Sequence, residues 1–270
     1  MKLNCSGTKR VILNSLRRTI LQSIPTFGFS QEYIKINSLK SDCLDSDIMK
    51  HRISMIPVPT LLSEEEFNSF LSNQKEIIKG ITMKCSIENT GLSILHVTTK
   101  DCIFNQPNPY KNDILICSLQ SGETIDFIAT AIIGIGHAIF CPTSKCYLTE
   151  EFLYIYPRIN YSASKLLLDA IKILKLQLLH NVEMKPDKII FPNDKFTLPI
   201  LLVDYLQDHE SIKYAGAMCN HLLESDGYIH FLCKDDKKID TIFCEIVQNV
   251  LLDLDRLINL FSVSFFFNDK

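Results

Sequence analysis

The sequence predicts an α+β protein built from two similar units, with a β-rich segment inserted in the first. Residues 11–24 and 164–180 carry apolar side chains at helical spacing, which indicates two amphipathic helices in the first unit. After a polar stretch at 181–187, the pattern of strands and helices begins again and ends in a long helix at 239–261. Residues 60–150 are short β-branched runs separated by turn residues, which is typical of a small β domain.

Helix boundaries are predicted from capping residues and prolines. Ser6 or Thr8 can cap the first helix. A second, shorter helix follows a strand region and can be capped by Asp45 or Ser46. The Pro57–Pro59 stretch ends this helix and gives the first candidate domain boundary.

The long helices at 164–180 and 239–261 are more apolar than a surface helix requires. Apolar residues in the second of them recur at alternating steps of four and three, the spacing of a helix–helix seam. We therefore expect the two units to pack on each other through their helices. The residues predicted for this interface are Leu13, Leu16, Ile20, Leu167, Ile171, Leu174, Leu201, Leu202, Val247, Val250, Leu254 and Leu257.

Charge and cysteine usage exclude several functions. The chain has 28 Lys and Arg against 31 Asp and Glu, and this balance does not predict general electrostatic binding to nucleic acid. Its 10 cysteines form no CxxC pair, and without a secretory leader we expect reduced thiols. Cys102, His137, Cys141 and Cys146 are the residues that could gather around zinc, but their spacing does not favour it and we predict no metal. The longest uncharged apolar run, 127–141, is too short to span a membrane.

No catalytic constellation is visible in the sequence. It contains no Walker loop, no GxSxG, no paired metal-binding carboxylates and no polymerase-type aspartate triad. Asp253 and Asp255 on the last helix are predicted to belong to its solvated face. We therefore predict no catalytic residues in this chain.

Five segments resemble the α-like subunits of RNA polymerase, a family that includes the bacterial α subunit, the archaeal D subunit and the third-largest subunit of RNA polymerase II. Residues 14–29 (NSLRRTILQSIPTFGF), 45–57 (DSDIMKHRISMIP) and 131–142 (AIIGIGHAIFCP) resemble its signatures in order. The strand and helix of 152–179 match the return to its dimerisation domain, and 196–216 resembles the smaller dimer partner, the archaeal L subunit.

The resemblance implies a fusion of two α-like dimerisation units, each an antiparallel sheet with long helices, packed as an intramolecular pseudo-dimer. The first unit comprises 1–59 and 147–183, the inserted β-rich domain 60–146, and the small-partner-like unit 187–270. Such fusions occur in some large cytoplasmic DNA viruses, so we expect a viral source. We expect the protein in the cytoplasmic viral factory, the virion or the nucleus, and we do not expect it to be secreted.

The function that the resemblance implies is a non-catalytic assembly subunit of a DNA-directed RNA polymerase, a nucleotidyltransferase complex. The two largest subunits would dock on it, with small accessory subunits, while Mg²⁺ and any Zn²⁺ would be held by other chains. Asn14, Arg17, Arg18, His51 and Arg52 are the residues expected to face the second-largest subunit. The alternative is a free-standing dimerisation adaptor with no role in transcription. We expect no direct sequence-specific contact with nucleic acid and no contact with a membrane.

Overall fold

The computed structural model describes residues 1–4, 7–72, 79–150, 152–158, 161–185, 188–219, 221, 223–234 and 239–268. The helices are α1 (Arg10–Gln22), α2 (Ser46–Ser54), α3 (Glu64–Leu71), α4 (Ala163–His180), α5 (Thr197–Gln207) and α6 (Ile239–Asn268). The strands are β1 (Lys2–Asn4), β2 (Thr26–Gly28), β3 (Ile34–Lys40), β4 (Lys79–Glu88), β5 (Leu95–Thr98), β6 (Ile103–Phe104), β7 (Leu115–Leu119), β8 (Thr124–Gly134), β9 (Thr143–Leu148), β10 (Phe152–Pro157), β11 (Glu183–Met184), β12 (Lys188–Phe191), β13 (Ile212–Met218) and β14 (Gly227–Cys233).

The chain mixes helices with several antiparallel sheets, which confirms the predicted α+β class. It divides into two compact units. Unit 1 contains residues 1–23, 145–156 and 163–270, and unit 2 contains residues 24–144 and 157–162. None of the helices in the described part of the chain has both the length and the apolar character needed to cross a membrane.

Unit 2 is built on a five-stranded sheet in the order β2-β8-β4-β6, with β3 also paired to β8. Alternate residues of β8 are buried, as expected for a strand with one face on the core. Residues 24–59 belong to this core, because Phe29, Met49 and Ile53 are buried in the same cluster as Phe127. The compact unit therefore begins at residue 24, whereas the predicted inserted domain begins at residue 60.

Two glycines in unit 2 make room for one aromatic ring. A Cβ added at Gly134 would lie 2.5 Å from the ring of Phe140, and one added at Gly28 would lie 2.8 Å from the same ring. These glycines are on neighbouring strands, because β2 pairs with β8. The glycine at 134 therefore has a packing role: it lets the ring lie directly on the sheet.

Unit 1 contains the same arrangement of elements twice. In its first sheet, the central strand β10 lies between β1 and β9, and in its second, β14 lies between β12 and β13. In both cases the first strand is followed by a helix, α1 or α5, and the central strand is followed by a long helix, α4 or α6. The strand β11 adds a fourth member to the second sheet.

Two helix boundaries differ from those predicted. The N-cap position of α1 is Lys9, and no side chain caps it, so the predicted cap by Thr8 is wrong and Ser6 lies outside the described residues. The helix α6 continues to Asn268 and not to residue 261, because no proline or glycine interrupts it. The predicted cap of α2 by Asp45 is confirmed, since its carboxylate accepts from the N–H of Asp47.

The contact between Phe140 and Gly134 generates the first testable prediction. Gly134→Ala is expected to lower the free energy of unfolding by about 1–3 kcal/mol, because the new methyl group overlaps the ring. Urea unfolding followed by circular dichroism measures this, since the chain has no Trp. The matched control is Gly91→Ala, where the nearest atom is a side-chain oxygen at 3.3 Å. Equal effects at the two positions, or no relief from Phe140→Leu in the Gly134→Ala background, would contradict this explanation.

Candidate functional site

The apolar faces of four helices meet inside unit 1, and we call this contact the helix seam. It is formed by α1 against α4 and α5, and by α6 against α4 and α5. The helices of the first repeat therefore pack on those of the second. All twelve residues predicted for the interface are buried: Leu13, Leu16, Ile20, Leu167, Ile171, Leu174, Leu201, Leu202, Val247, Val250, Leu254 and Leu257.

Polar side chains tie α6 to its neighbours at the edge of the helix seam. The hydroxyl of Tyr205 on α5 donates to Asp253, with an O···O distance of 2.7 Å. Burial and this hydrogen bond raise the pKa of Tyr205 above its ordinary value. Lys175 on α4 pairs with Asp255. The two aspartates that were predicted as a purely solvated face therefore each hold a neighbouring helix, although Asp255 is also exposed.

Lys9 joins the start of α1 to α5. Its ammonium group lies 3.0 Å from a carboxylate oxygen of Asp204, contacts Asp208 as well, and lies 4.1 Å from the centre of the Tyr205 ring. Burial opposes the charge on Lys9, but the hydrogen bonds to Asp208 and Asp204 outweigh it and hold the pKa above its ordinary value. The ammonium is therefore charged at neutral pH and neutralises part of the acidic face of α5.

Asn14 and Arg17 lie together on the side of α1 that faces away from its buried residues. Both are half-buried, and Nε of Arg17 donates to the side-chain oxygen of Asn14 at 3.1 Å. They line an open cleft of about 680 Å³ whose other lining residues are Arg10, Val11, Tyr147, Leu148, Ile200 and Asp204. The structure thus brings together two of the residues predicted to face a partner, and adds Arg10 to them.

Arg18 makes an intramolecular contact. Its Nε donates to the hydroxyl of Thr197 at 3.1 Å, and its guanidinium lies 5.8 Å from the centre of the Phe196 ring. Both residues are at the start of α5. The carboxylate of Asp194 accepts from three successive backbone N–H groups at 2.7–3.1 Å.

His51 and Arg52 lie in unit 2, at the C-terminal end of α2, and both are exposed. Basic residues in the last turn of a helix interact favourably with the helix dipole. Asn14 and Arg17, by contrast, belong to unit 1. The predicted partner-facing residues are therefore divided between the two units.

The cysteines of unit 2 are core residues. Cys85, Cys102 and Cys117 are buried as free thiols. A hydrogen bond to Cys85 and burial raise the pKa of Cys102, and burial raises the pKa of Cys117 to about 11. These two thiols are thus protonated at neutral pH and pack as small apolar groups.

The side chains that could gather around zinc make contacts within the chain. Cys141 contacts the backbone oxygen of Thr143, and Nδ1 of His137 accepts from the N–H of Ile139. Within the described ranges, no three His, Cys, Asp or Glu side chains gather in an arrangement that would hold a metal ion. The absence of a metal in this chain stays a prediction.

Lys9, Arg10 and Asp194 were missed from sequence alone. The signal for Asp194 is a short acidic side chain shortly before the helix start, since Asp commonly accepts from the backbone N–H two residues further on. Arg10 falls on the same helix face as Asn14 and Arg17, at steps of four and three, so helical periodicity could have grouped them. The contact of Lys9 with α5 spans 195 residues of sequence and leaves no local signal.

The second prediction concerns Lys9. Lys9→Ala is expected to lower the free energy of unfolding by about 1 kcal/mol at neutral pH, since the carboxylates it binds are partly exposed. The pKa of Lys9 is raised in the folded state. Its contribution to stability is therefore complete below the pKa of the unfolded state and is lost as the pH rises through the pKa of the folded state. The difference in free energy of unfolding between wild type and variant should therefore disappear in strong alkali. Lys213→Ala, at an exposed position on β13, is the control, and an equal effect there would contradict the assignment.

The chain is similar in sequence to known subunits of RNA polymerases, although no family model matches it. The chain is 28% identical to subunit 3 of the DNA-directed RNA polymerases II, IV and V of Arabidopsis thaliana, over 89% of this chain and 78% of the relative. It is 30% identical to the DNA-directed RNA polymerase subunit Rpo3 of Pyrococcus horikoshii, over 57% of each.

A third relative is subunit rpac1 of the DNA-directed RNA polymerases I and III of Dictyostelium discoideum, 30% identical over 44% of this chain and 39% of the relative. In the Pyrococcus and Dictyostelium relatives, the match spans less than two thirds of the relative's length. The homologues of this chain are thus α-like subunits of DNA-directed RNA polymerases, at modest identity.

Proposed function

We propose that this chain is a non-catalytic assembly subunit of a multisubunit DNA-directed RNA polymerase, on which the two largest subunits dock. The observation that carries the proposal is the helix seam of unit 1, an extended apolar packing of four helices that contains no reactive constellation among its described residues. The homologues, which are polymerase subunits, supply the identity of the assembly.

The repeated order of elements in unit 1 supports a fusion of two α-like subunits. The first repeat is β1, α1, β9, β10 and α4, and the second is β12, α5, β13, β14 and α6. In chain order, most of unit 2 falls between α1 and β9, as an insertion in the first repeat would. We propose that the helix seam is a pseudo-dimer interface, in which a covalent link replaces a bimolecular association by an intramolecular one at about millimolar effective concentration.

A second interpretation of the last third is that it belongs to one enlarged third-subunit-like chain. The Arabidopsis match favours it, because a match covering 89% of the chain must extend into the last third. The two interpretations differ in what else the polymerase contains. A fused chain makes a separate small dimer partner redundant, whereas an enlarged chain still requires one.

The docking role is assigned to the exposed side of α1. Asn14 and Arg17 are half-buried, held in position by the helix and by each other, and open to the cleft. Arg suits a contact with a partner's carboxylate, because its planar group donates two parallel hydrogen bonds. Arg18 acts within the chain, where it holds α5 against α1. We retain His51 and Arg52 as contacts of the second-largest subunit on the strength of their exposure.

The third prediction tests the proposed function. Affinity purification of the tagged chain from its source cells should bring down two subunits much larger than itself, together with RNA synthesis that requires a DNA template. Mass spectrometry of the same complex should find no separate small dimer partner. Recovery of the chain without polymerase subunits would favour the free-standing adaptor. Recovery of polymerase subunits together with a separate small dimer partner would contradict the fusion but not the polymerase role.

The fourth prediction separates the two neighbouring arginines. Arg18→Ala should lower the free energy of unfolding by about 1 kcal/mol, because it removes the hydrogen bond to Thr197. Arg17→Ala should leave the unfolding midpoint close to wild type, yet weaken capture of the second-largest subunit about threefold to tenfold. Urea unfolding and quantitative pull-down measure the two effects. If Arg18→Ala weakens capture without changing stability, the two arginines have the opposite roles.

A further inference from the structure

The cleft beside α1 is lined by two arginines from one face of the helix. Arg10 and Arg17 both line it, and seven residues of helix place them about 10 Å apart along the axis. Among the residues that the structure describes, neither guanidinium forms an ion pair. The carboxylate in the cleft, Asp204, is bound by Lys9.

The space between the two arginines is bounded by apolar and aromatic groups. Val11, Leu148 and Ile200 line the cleft, and the side chain of Ile200 is 45% exposed although it is large and apolar. The ring of Tyr147 is also exposed and stacks on the ring of Tyr154, with centroids 4.7 Å apart and planes 13° apart. A stacked ring has little freedom to lose on binding, which favours its use as a contact surface.

We infer that this cleft binds an acidic segment of a partner protein that carries two carboxylates about 10 Å apart with an apolar side chain between them. A helix supplies that spacing on one face with residues seven apart, whereas an extended strand places residues of one face about 7 or 13 Å apart. Each carboxylate would accept paired hydrogen bonds from one guanidinium. The inference rests on the proposed function only in that the partner sought is a polymerase subunit.

A peptide segment fits the cleft better than a nucleic-acid backbone does. Binding to a phosphate backbone depends on many cationic contacts, whereas this cleft offers two arginines on a chain whose net charge is −3. The apolar side chains on the cleft wall also have no counterpart in a phosphodiester chain, but they match an aliphatic side chain placed between two carboxylates.

Photo-crosslinking in the assembled complex tests the inference. Tyr147 is replaced by benzoylphenylalanine in the full chain, the polymerase is isolated through that chain, and the crosslinked peptide is sequenced by mass spectrometry. We expect a single segment with two acidic residues at the stated spacing. Tyr214, an exposed tyrosine on β13, is the control position and should not capture that segment.

Charge reversal then shows whether the arginines select the segment. Arg10→Glu and Arg17→Glu should each lower the crosslink yield from position 147 about tenfold, whereas Lys145→Glu, an equal change of charge at an exposed residue outside the cleft, should lower it less than about twofold. Replacing the facing carboxylate of the partner by Lys should restore the yield in the Arg17→Glu chain.

Three results would overturn the inference while the chain still assembles with the polymerase: a crosslinked segment without acidic residues, a crosslink to nucleic acid, or no crosslink from position 147. An equal loss of yield with Lys145→Glu would show a general effect of charge and would also overturn it. If the chain recovers no polymerase subunits, the proposed function fails first, and the same photo-reactive chain then reports whichever protein occupies the cleft.

Discussion

The structure of unit 1 depends on burying the apolar faces of four helices against one another. Neither α4 nor α6 can cover its apolar surface with the sheet of its own repeat alone, and the two helices pack on each other across the repeats. Residues such as Leu16, Leu174 and Val250 have no exposed surface at all. Burial of this kind contributes about 1.5–3 kcal/mol for each large side chain, so the helix seam outweighs the polar contacts around it.

The polar contacts decide how the helices are aligned. Lys9 and Arg18 fix both ends of α1 against α5, and Tyr205 fixes α5 against α6. We propose docking at the side of α1 that carries Asn14 and Arg17, which lines the open cleft. A helix that is already held in place loses little conformational entropy on binding, which would suit the docking role that we propose for α1.

Sequence reasoning succeeded where the pattern is local and periodic. The buried faces that include Leu16 and Val250 follow from helical spacing, and the long alternating strand at 124–134 follows from its β-branched composition. It failed where a side chain binds a distant one. Arg17 and Arg18 are adjacent and chemically alike, yet a hydrogen bond across 179 residues of sequence gives only Arg18 an intramolecular partner on α5. The resemblance to α-like subunits pointed to the homologues, but it could not separate the two arginines.

Cleavage of the chain between its two repeats tests whether the helix seam is a pseudo-dimer interface. A protease site inserted between residues 185 and 188 can be cut after folding, and size-exclusion chromatography with urea unfolding then reports whether the fragments stay together. A pseudo-dimer predicts that they elute as one species and that the unfolding midpoint now rises with protein concentration. Separation into two fragments that each unfold cooperatively would contradict the pseudo-dimer.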